Sequence, residues 1–325
     1  MRARVTALWA LWVRLWDKQE DPVVLAVVRI LLATVVLYDF LDMAHLGLVE
    51  MLFTPERGGG IPDALARTPV PELYRWFPAT TGTAWLAWSV MVGCTAAFGL
   101  GFLTPLSGVI AVLVSAQLAQ VLPLGDRGID TLIRNVILIL SCSSCGRRFG
   151  LDAVIFGTRR LAPAWPRHLL ILQLSVMYFC AGIQKTAMSW TPLGGFAALY
   201  LILQDPAIAR WPFAWLGNIY PLTQLATATT MVFEWSACFI PLVYWYRDTR
   251  ERPGRLRAFI NAKRPLRVWV ALGVCLHVGI ALTMALGIFP AAMLAVYPAL
   301  VHPEEFWALV AGGKRFPFIR REAGR

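Results

Sequence analysis

Apolar runs of about 20 residues, nearly free of charge, recur along the chain and are parted by short stretches rich in arginine, proline and glycine. Wound as helix at 1.5 Å per residue, such a run rises about 30 Å, the thickness of a bilayer's hydrocarbon core. The pattern predicts an all-α fold, a polytopic transmembrane helix bundle with spans near residues 23–43, 83–103, 106–122, 130–145, 168–188, 221–246 and 269–289. A further apolar piece, 291–301, follows Pro290 and is too short to cross alone, so the count stands at seven or eight spans. Ahead of the first span, Trp9, Trp12 and Trp16 recur at helical spacing beside Leu8 and Leu15, while Arg14 breaks the apolar stretch. Residues 1–22 therefore read as an N-terminal interfacial helix rather than a cleaved signal. Residues 23–311 follow as the transmembrane domain and 312–325 as a basic C-terminal tail.

Composition sharpens the class. Of 325 residues, 58% are hydrophobic and only 15% charged, too few charges for the exterior of a water-soluble domain. Fourteen Trp and eight Tyr suit a chain that crosses many membrane–water boundaries. The net charge of +11 is distributed over the connections rather than gathered in one patch, which argues for membrane lipids and against nucleic acid as partner. Residues 1–20 carry four Lys and Arg, residues 146–167 carry five and residues 247–267 carry eight, whereas 189–220 holds only Arg210. By the positive-inside rule the N-terminus and the basic connections are cytoplasmic. Seven spans put the basic tail outside and eight put it inside, so its side stays open. The long connections 44–82 and 189–220 keep many apolar residues and are expected to lie against the membrane or over the bundle. With no organelle-targeting signal, the default location is a bacterial inner membrane.

Charges inside spans are costly unless paired or wet, so each is a candidate for function. Counting helical rise, Arg29 lies about 10 Å from the cytoplasmic end of the first span and Glu234 about 20 Å below the outer end of the sixth. These depths coincide in a 30 Å core, which predicts an Arg29–Glu234 ion pair with a structural role. Lys185, about 26 Å along the fifth span, falls near the outer face, with Asp39, Arg134 and Asn135 at a similar level. The four would line one cavity opening away from the cytoplasm; alternatively, Lys185 snorkels to the outer headgroups beside Trp190. His277 falls near mid-membrane, either as a hydrogen-bonded neutral imidazole or as a proton relay.

Several segments together resemble the HTTM (horizontally transferred transmembrane) family, which also supplies the membrane domain of vitamin K-dependent gamma-carboxylases and includes the SdpB-like bacterial proteins. They are LAVVRILLATVVLYD (25–39), FTPERGG (53–59), GDRGIDTLIRNVILILSCSSCGRRFGLDA (125–153), LQLSVMYFCAGIQKTAMSWTPLGG (172–195), TTMVFEWSACFIPLV (229–243) and HVGIALTMALGIFPAAMLA (277–295). The resemblance implies that Lys185, in the Ala-Gly-x-x-Lys stretch, is the catalytic base, and that the cofactor is a quinol such as vitamin K hydroquinone. In the family reaction the deprotonated, oxygenated quinol becomes a stronger base that opens a glutamyl side chain to carbon dioxide. Burial of a lysine favours its neutral form, which suits such a role. Gln184 stands where the carboxylases have a second lysine, and the chain stops soon after its last apolar segment, without their large extramembrane region. The implied enzyme is therefore a carboxylase-like or peptide-maturation protein acting on a secreted or extramembrane peptide. The rival is a non-catalytic membrane scaffold, chaperone or immunity partner. A transporter would call for inverted repeats or paired broken helices, and none is evident.

Other motifs carry less. Cys142-Ser-Ser-Cys145 has redox or metal spacing but lacks a thioredoxin-like context or two further ligands, so reduced, packing cysteines are expected. His45, His168, His277 and His302 are scattered, and no metal site is predicted. Gly58-Gly59-Gly60 has no preceding strand or following Gly-Lys-Ser/Thr and reads as a turn, and no G-x-S-x-G elbow occurs.

Overall fold

A computed structural model describes residues 6, 9–10, 12–14, 16–158 and 161–310. Leu8, Leu15, Arg159, Arg160 and the basic tail 312–325 lie outside the described residues. The principal helices are α1 (Val23–His45), α2 (Thr81–Leu100), α3 (Thr104–Val121), α4 (Gly128–Ser141), α5 (Trp165–Gln184), α6 (Tyr220–Ser236), α7 (Ile240–Asp248), α8 (Arg255–Lys263), α9 (Pro265–Thr283), α10 (Phe289–Val296) and α11 (Pro303–Val310). The strand content described is a two-residue antiparallel pairing of Gln19–Glu20 with Ala162–Pro163. The fold is thus all-α.

Among the described residues, six stretches are long and apolar enough to cross a membrane: α1, α2, α3, α5, α9 and the 35-residue run Ala214–Asp248, in which a 3-10 turn joins α6 to α7. Six of the seven expected spans overlap these, four with boundaries within about four residues, while the expected 221–246 starts seven residues late and the expected 269–289 runs six residues too far. The expected span at 130–145 is α4, only 14 residues and so about 21 Å of helix. It starts where the Asp130 carboxylate accepts from the Arg127 backbone N–H at 2.8 Å. It stops at Ser141, beyond which the Ser143 hydroxyl takes the Leu140 carbonyl. The piece at 291–301 is α10 followed by a 3-10 turn at Tyr297–Leu300.

The chain forms two compact units, Met1–Arg167 with Ala295–Arg325, and His168–Leu294. In the first, α1 is the buried hub, with Val24, Val28, Leu32 and Ala33 inaccessible. The 44–82 connection packs Val49 and Phe53 against Ala84, Ala87 and Leu118. It is tied down by Arg67, which donates to the Gln120 and Val121 carbonyls, and by Tyr74, whose hydroxyl donates to the Phe53 carbonyl. Between α2 and α3 the chain turns through Gly101 at φ 68°, where a Cβ would stand 2.7 Å from both the Arg29 guanidinium and the Gly150 Cα. Only glycine fits that turn. The buried Asp152 carboxylate then accepts from the Leu103 and Thr104 backbone N–H groups and the Thr104 hydroxyl, at 2.8, 2.9 and 2.6 Å. A carboxylate at a helix N-terminus satisfies orphan donors and opposes the positive end of the dipole.

The basic connection at 146–167 is partly neutralised within this unit. Arg148 grips Asp21 at 2.6 Å, and the fully buried Arg167 grips Glu20 at 2.6 and 2.8 Å. In the second unit, Phe233 stacks on Trp269 with centroids 4.3 Å apart, and Tyr178 meets both rings edge-on. The 189–220 connection covers this bundle, as Gln224 donates to the Gly195 carbonyl at 2.6 Å and Arg210 to the Met284 carbonyl at 2.9 Å.

Candidate functional site

Helix periodicity brings Tyr178, Ala181, Gly182 and Lys185 onto one stripe of α5, at i, i+3, i+4 and i+7. Gly182 is the contact point with α6: a Cβ there would lie 2.6 Å from Trp235 Cδ1 and 3.1 Å from Glu234 Cβ. That close approach lets Lys185, one residue past the end of α5, reach Glu234. Its Nζ donates to both carboxylate oxygens at 2.6 Å and lies 3.5 Å from the Ala181 carbonyl. The Trp190 ring centroid is 4.9 Å from the same nitrogen, a cation–π contact. The two side chains are 21% and 9% exposed, so the pair is mostly shielded and still reachable.

Seven residues along the stripe, about 10 Å of helix, Tyr178 and His277 share a hydrogen bond between Oη and Nε2. Both are buried, and the His277 ring also meets Phe289, with centroids 5.6 Å apart. On α9, Trp269, Gly273 and His277 follow at i, i+4 and i+8 and make up most of its buried face. The second unit therefore holds two polar couples on one α5 stripe, with the Phe233 and Trp269 rings packed against Tyr178.

The expected Arg29–Glu234 pair is corrected. Arg29 donates to the carbonyls of Cys145, Arg148 and Phe149 at 2.7, 3.4 and 2.5 Å, and Glu234 belongs to Lys185. Depth alone does not choose a partner: Lys185 stands at the end of the helix that meets α6 at Gly182, whereas Arg29 and Glu234 belong to different units. Asp39 binds Arg127 at 2.7 Å, and Arg127 also holds Asp130 at 2.9 Å. Burial works against the Arg127 charge, but its hydrogen bonds to Asp130 and Asp39 outweigh this and raise its pKa. Arg134 grips Asp126 through both oxygens at 2.7 and 2.8 Å, and Asn135 is exposed. Asp39, Arg134 and Asn135 belong to the first unit, Lys185 and His277 to the second.

Three contributors escaped the sequence reading: Glu234 as partner of Lys185, Gly182 as the point of approach, and Tyr178 as partner of His277. The seven-residue interval between Tyr178 and Lys185 was the available signal. Among the described residues no three His, Cys, Asp or Glu side chains gather as a metal site would require. The cysteines described are free thiols, Cys145 buried and Cys142 exposed. The chain matches no family model, no curated protein and no solved structure.

Proposed function

We propose that the protein is an integral membrane protein of the HTTM type whose Lys185–Glu234 couple takes up and returns a proton on a lipid-soluble hydroxylic ligand, a quinol of the vitamin K hydroquinone kind. The observation that carries this reading is the 2.6 Å contact of Lys185 Nζ with both Glu234 oxygens, mostly shielded from water under the Trp190 ring. The residues fit such a ligand: Glu234 is an acceptor for a hydroxyl proton, Lys185 is a donor to the resulting oxygen anion, and Trp190 offers a flat apolar wall. A bound quinol would supply an ionisable hydroxyl and a ring that can be oxidised. With an ammonium bonded to a carboxylate, proton uptake belongs to the couple rather than to a lone amine. Lys185 positions the charge, Glu234 holds the proton, and the surrounding apolar helices keep competing water scarce.

In this reading α4 makes a seventh crossing, an interfacial helix precedes the first, the N-terminus and basic connections face the cytoplasm, and the membrane is a bacterial inner membrane. The acted-on partner is a secreted or extramembrane peptide. The test is oxidation of a reduced vitamin K naphthoquinone by dissolved dioxygen, which takes the two electrons and two protons and leaves as hydrogen peroxide, with the full chain in nanodiscs and absorbance as the readout. Lys185→Ala and Glu234→Gln should each slow it by about 100-fold or more, measured per folded molecule so that lost stability does not count as lost turnover. Equal rates in the variants and the parent chain would refute the assignment.

One observation favours a second reading. The same bidentate pair ties the end of α5 to α6, which would serve a non-catalytic scaffold, chaperone or immunity partner equally well. Parental turnover in the folded fraction of Lys185→Ala would move the residue to that role.

A further inference from the structure

The connection from α7 to α9 holds eight Arg and Lys over residues 247–267 against two acids, Asp248 and Glu251. Unlike Arg148 and Arg167, which are spent on Asp21 and Glu20, its cations Arg250, Arg252, Arg255, Lys263 and Arg264 make no side-chain ion pair among the described residues. Within it, α8 rests on α7 through the face that carries Arg257 and Asn261. Asn261 Nδ2 donates to the Tyr246 carbonyl at 3.0 Å, and Arg257 lies 5.2 Å over the Tyr246 ring while donating to the Thr249 hydroxyl at 3.2 Å.

The other face of α8 points outward and is of mixed character. Arg255, Phe259 and Lys263 follow at i, i+4 and i+8, with Leu256 beside them. Leu256 and Phe259 are 55% and 59% exposed. Two large apolar side chains flanked by cations gain nothing by facing bulk water. Yet α8 is held between two stretches apolar enough to cross a bilayer, Ala214–Asp248 and α9, so it emerges at the membrane surface. There the apolar pair enters the acyl boundary and the long basic side chains reach the headgroups.

We propose that α8 is a binding surface for anionic phospholipid, with Leu256 and Phe259 in the acyl boundary and Arg252, Arg255, Lys263 and Arg264 on the headgroup phosphates. Sidedness by the positive-inside rule requires only the cations; it accounts for neither the exposed apolar pair nor the helix that aligns it with them. The surface is independent of the Lys185–Glu234 reading.

The experiment measures retention of tail-labelled phosphatidylglycerol or phosphatidylcholine on the immobilised full chain in neutral detergent. At low salt the anionic lipid is retained in preference, and high salt removes the preference. Neutralising Arg252, Arg255, Lys263 and Arg264 to Gln lowers the preference by about fivefold per cation. Leu256→Ser with Phe259→Ser weakens retention of phosphatidylglycerol without altering its salt dependence. Equal retention of the two lipids by the parent chain, or a preference untouched by high salt or by the four-Gln variant, overturns the proposal. The salt titration needs no variant, so the proposal stays testable if the four-Gln chain does not fold.

Discussion

Arg29 shows how a charge deep in an apolar span can be accommodated. Its buried guanidinium donates to the carbonyls of Cys145, Arg148 and Phe149, so a single side chain fixes the turn after α4 against α1. Arg29→Met keeps the length and removes the donors, leaving three carbonyls short of partners. The expected cost is about 3 kcal/mol or more, read as a fall in the unfolding midpoint in detergent. An unchanged midpoint would mean that water or lipid replaces the guanidinium. The Lys185–Glu234 pair makes the complementary case. Removing one partner strands a shielded charge, whereas removing both strands none. Lys185→Met should therefore destabilise by about 3 kcal/mol, and adding Glu234→Gln should recover part of it. Strictly additive losses would show that the two groups do not interact. The sequence marked Arg29, Lys185 and Glu234 as costly residues correctly but paired the wrong two. Backbone carbonyls, which satisfy Arg29, leave no signature in a sequence.

Among the elements, the close approach at Gly182 sets the geometry of the site. Gly182→Ala places a methyl 2.6 Å from Trp235 Cδ1 and 3.1 Å from Glu234 Cβ, so α5 and α6 must separate. The expected loss is about 1–3 kcal/mol, with quinol oxidation falling more than the unfolding midpoint would suggest. An alanine variant with parental stability and turnover would remove Gly182 from the site. Long helices were legible because a charge-free run is a local property that survives any tertiary context. The boundaries of α4 were not, since Asp130 at one end and the serines at the other act through local hydrogen bonds. Nor was the joining of α6 and α7 by a 3-10 turn, because the apolar run continues unbroken through it.

For the molecule as a whole, the basic connections predict one side of the membrane for Cys142 and α8. A chain whose other cysteines are replaced should react at the exposed Cys142 with an impermeant maleimide in inverted vesicles and not in intact cells. Labelling in intact cells alone would reverse the orientation. Division into two units was not legible, because each is assembled from helices whose contacts no periodicity encodes. The Arg29 clasp, finally, imposes a schedule on synthesis. Its first acceptor, Cys145, lies 116 residues later in the chain. At about 5–20 residues per second, the leading hydrophobic segment waits on the order of ten seconds with a bare cation before that acceptor leaves the ribosome. Nascent chains arrested before residue 145 should thus be extracted from membranes by alkali or held by insertion machinery, and those arrested well beyond residue 149 should resist extraction.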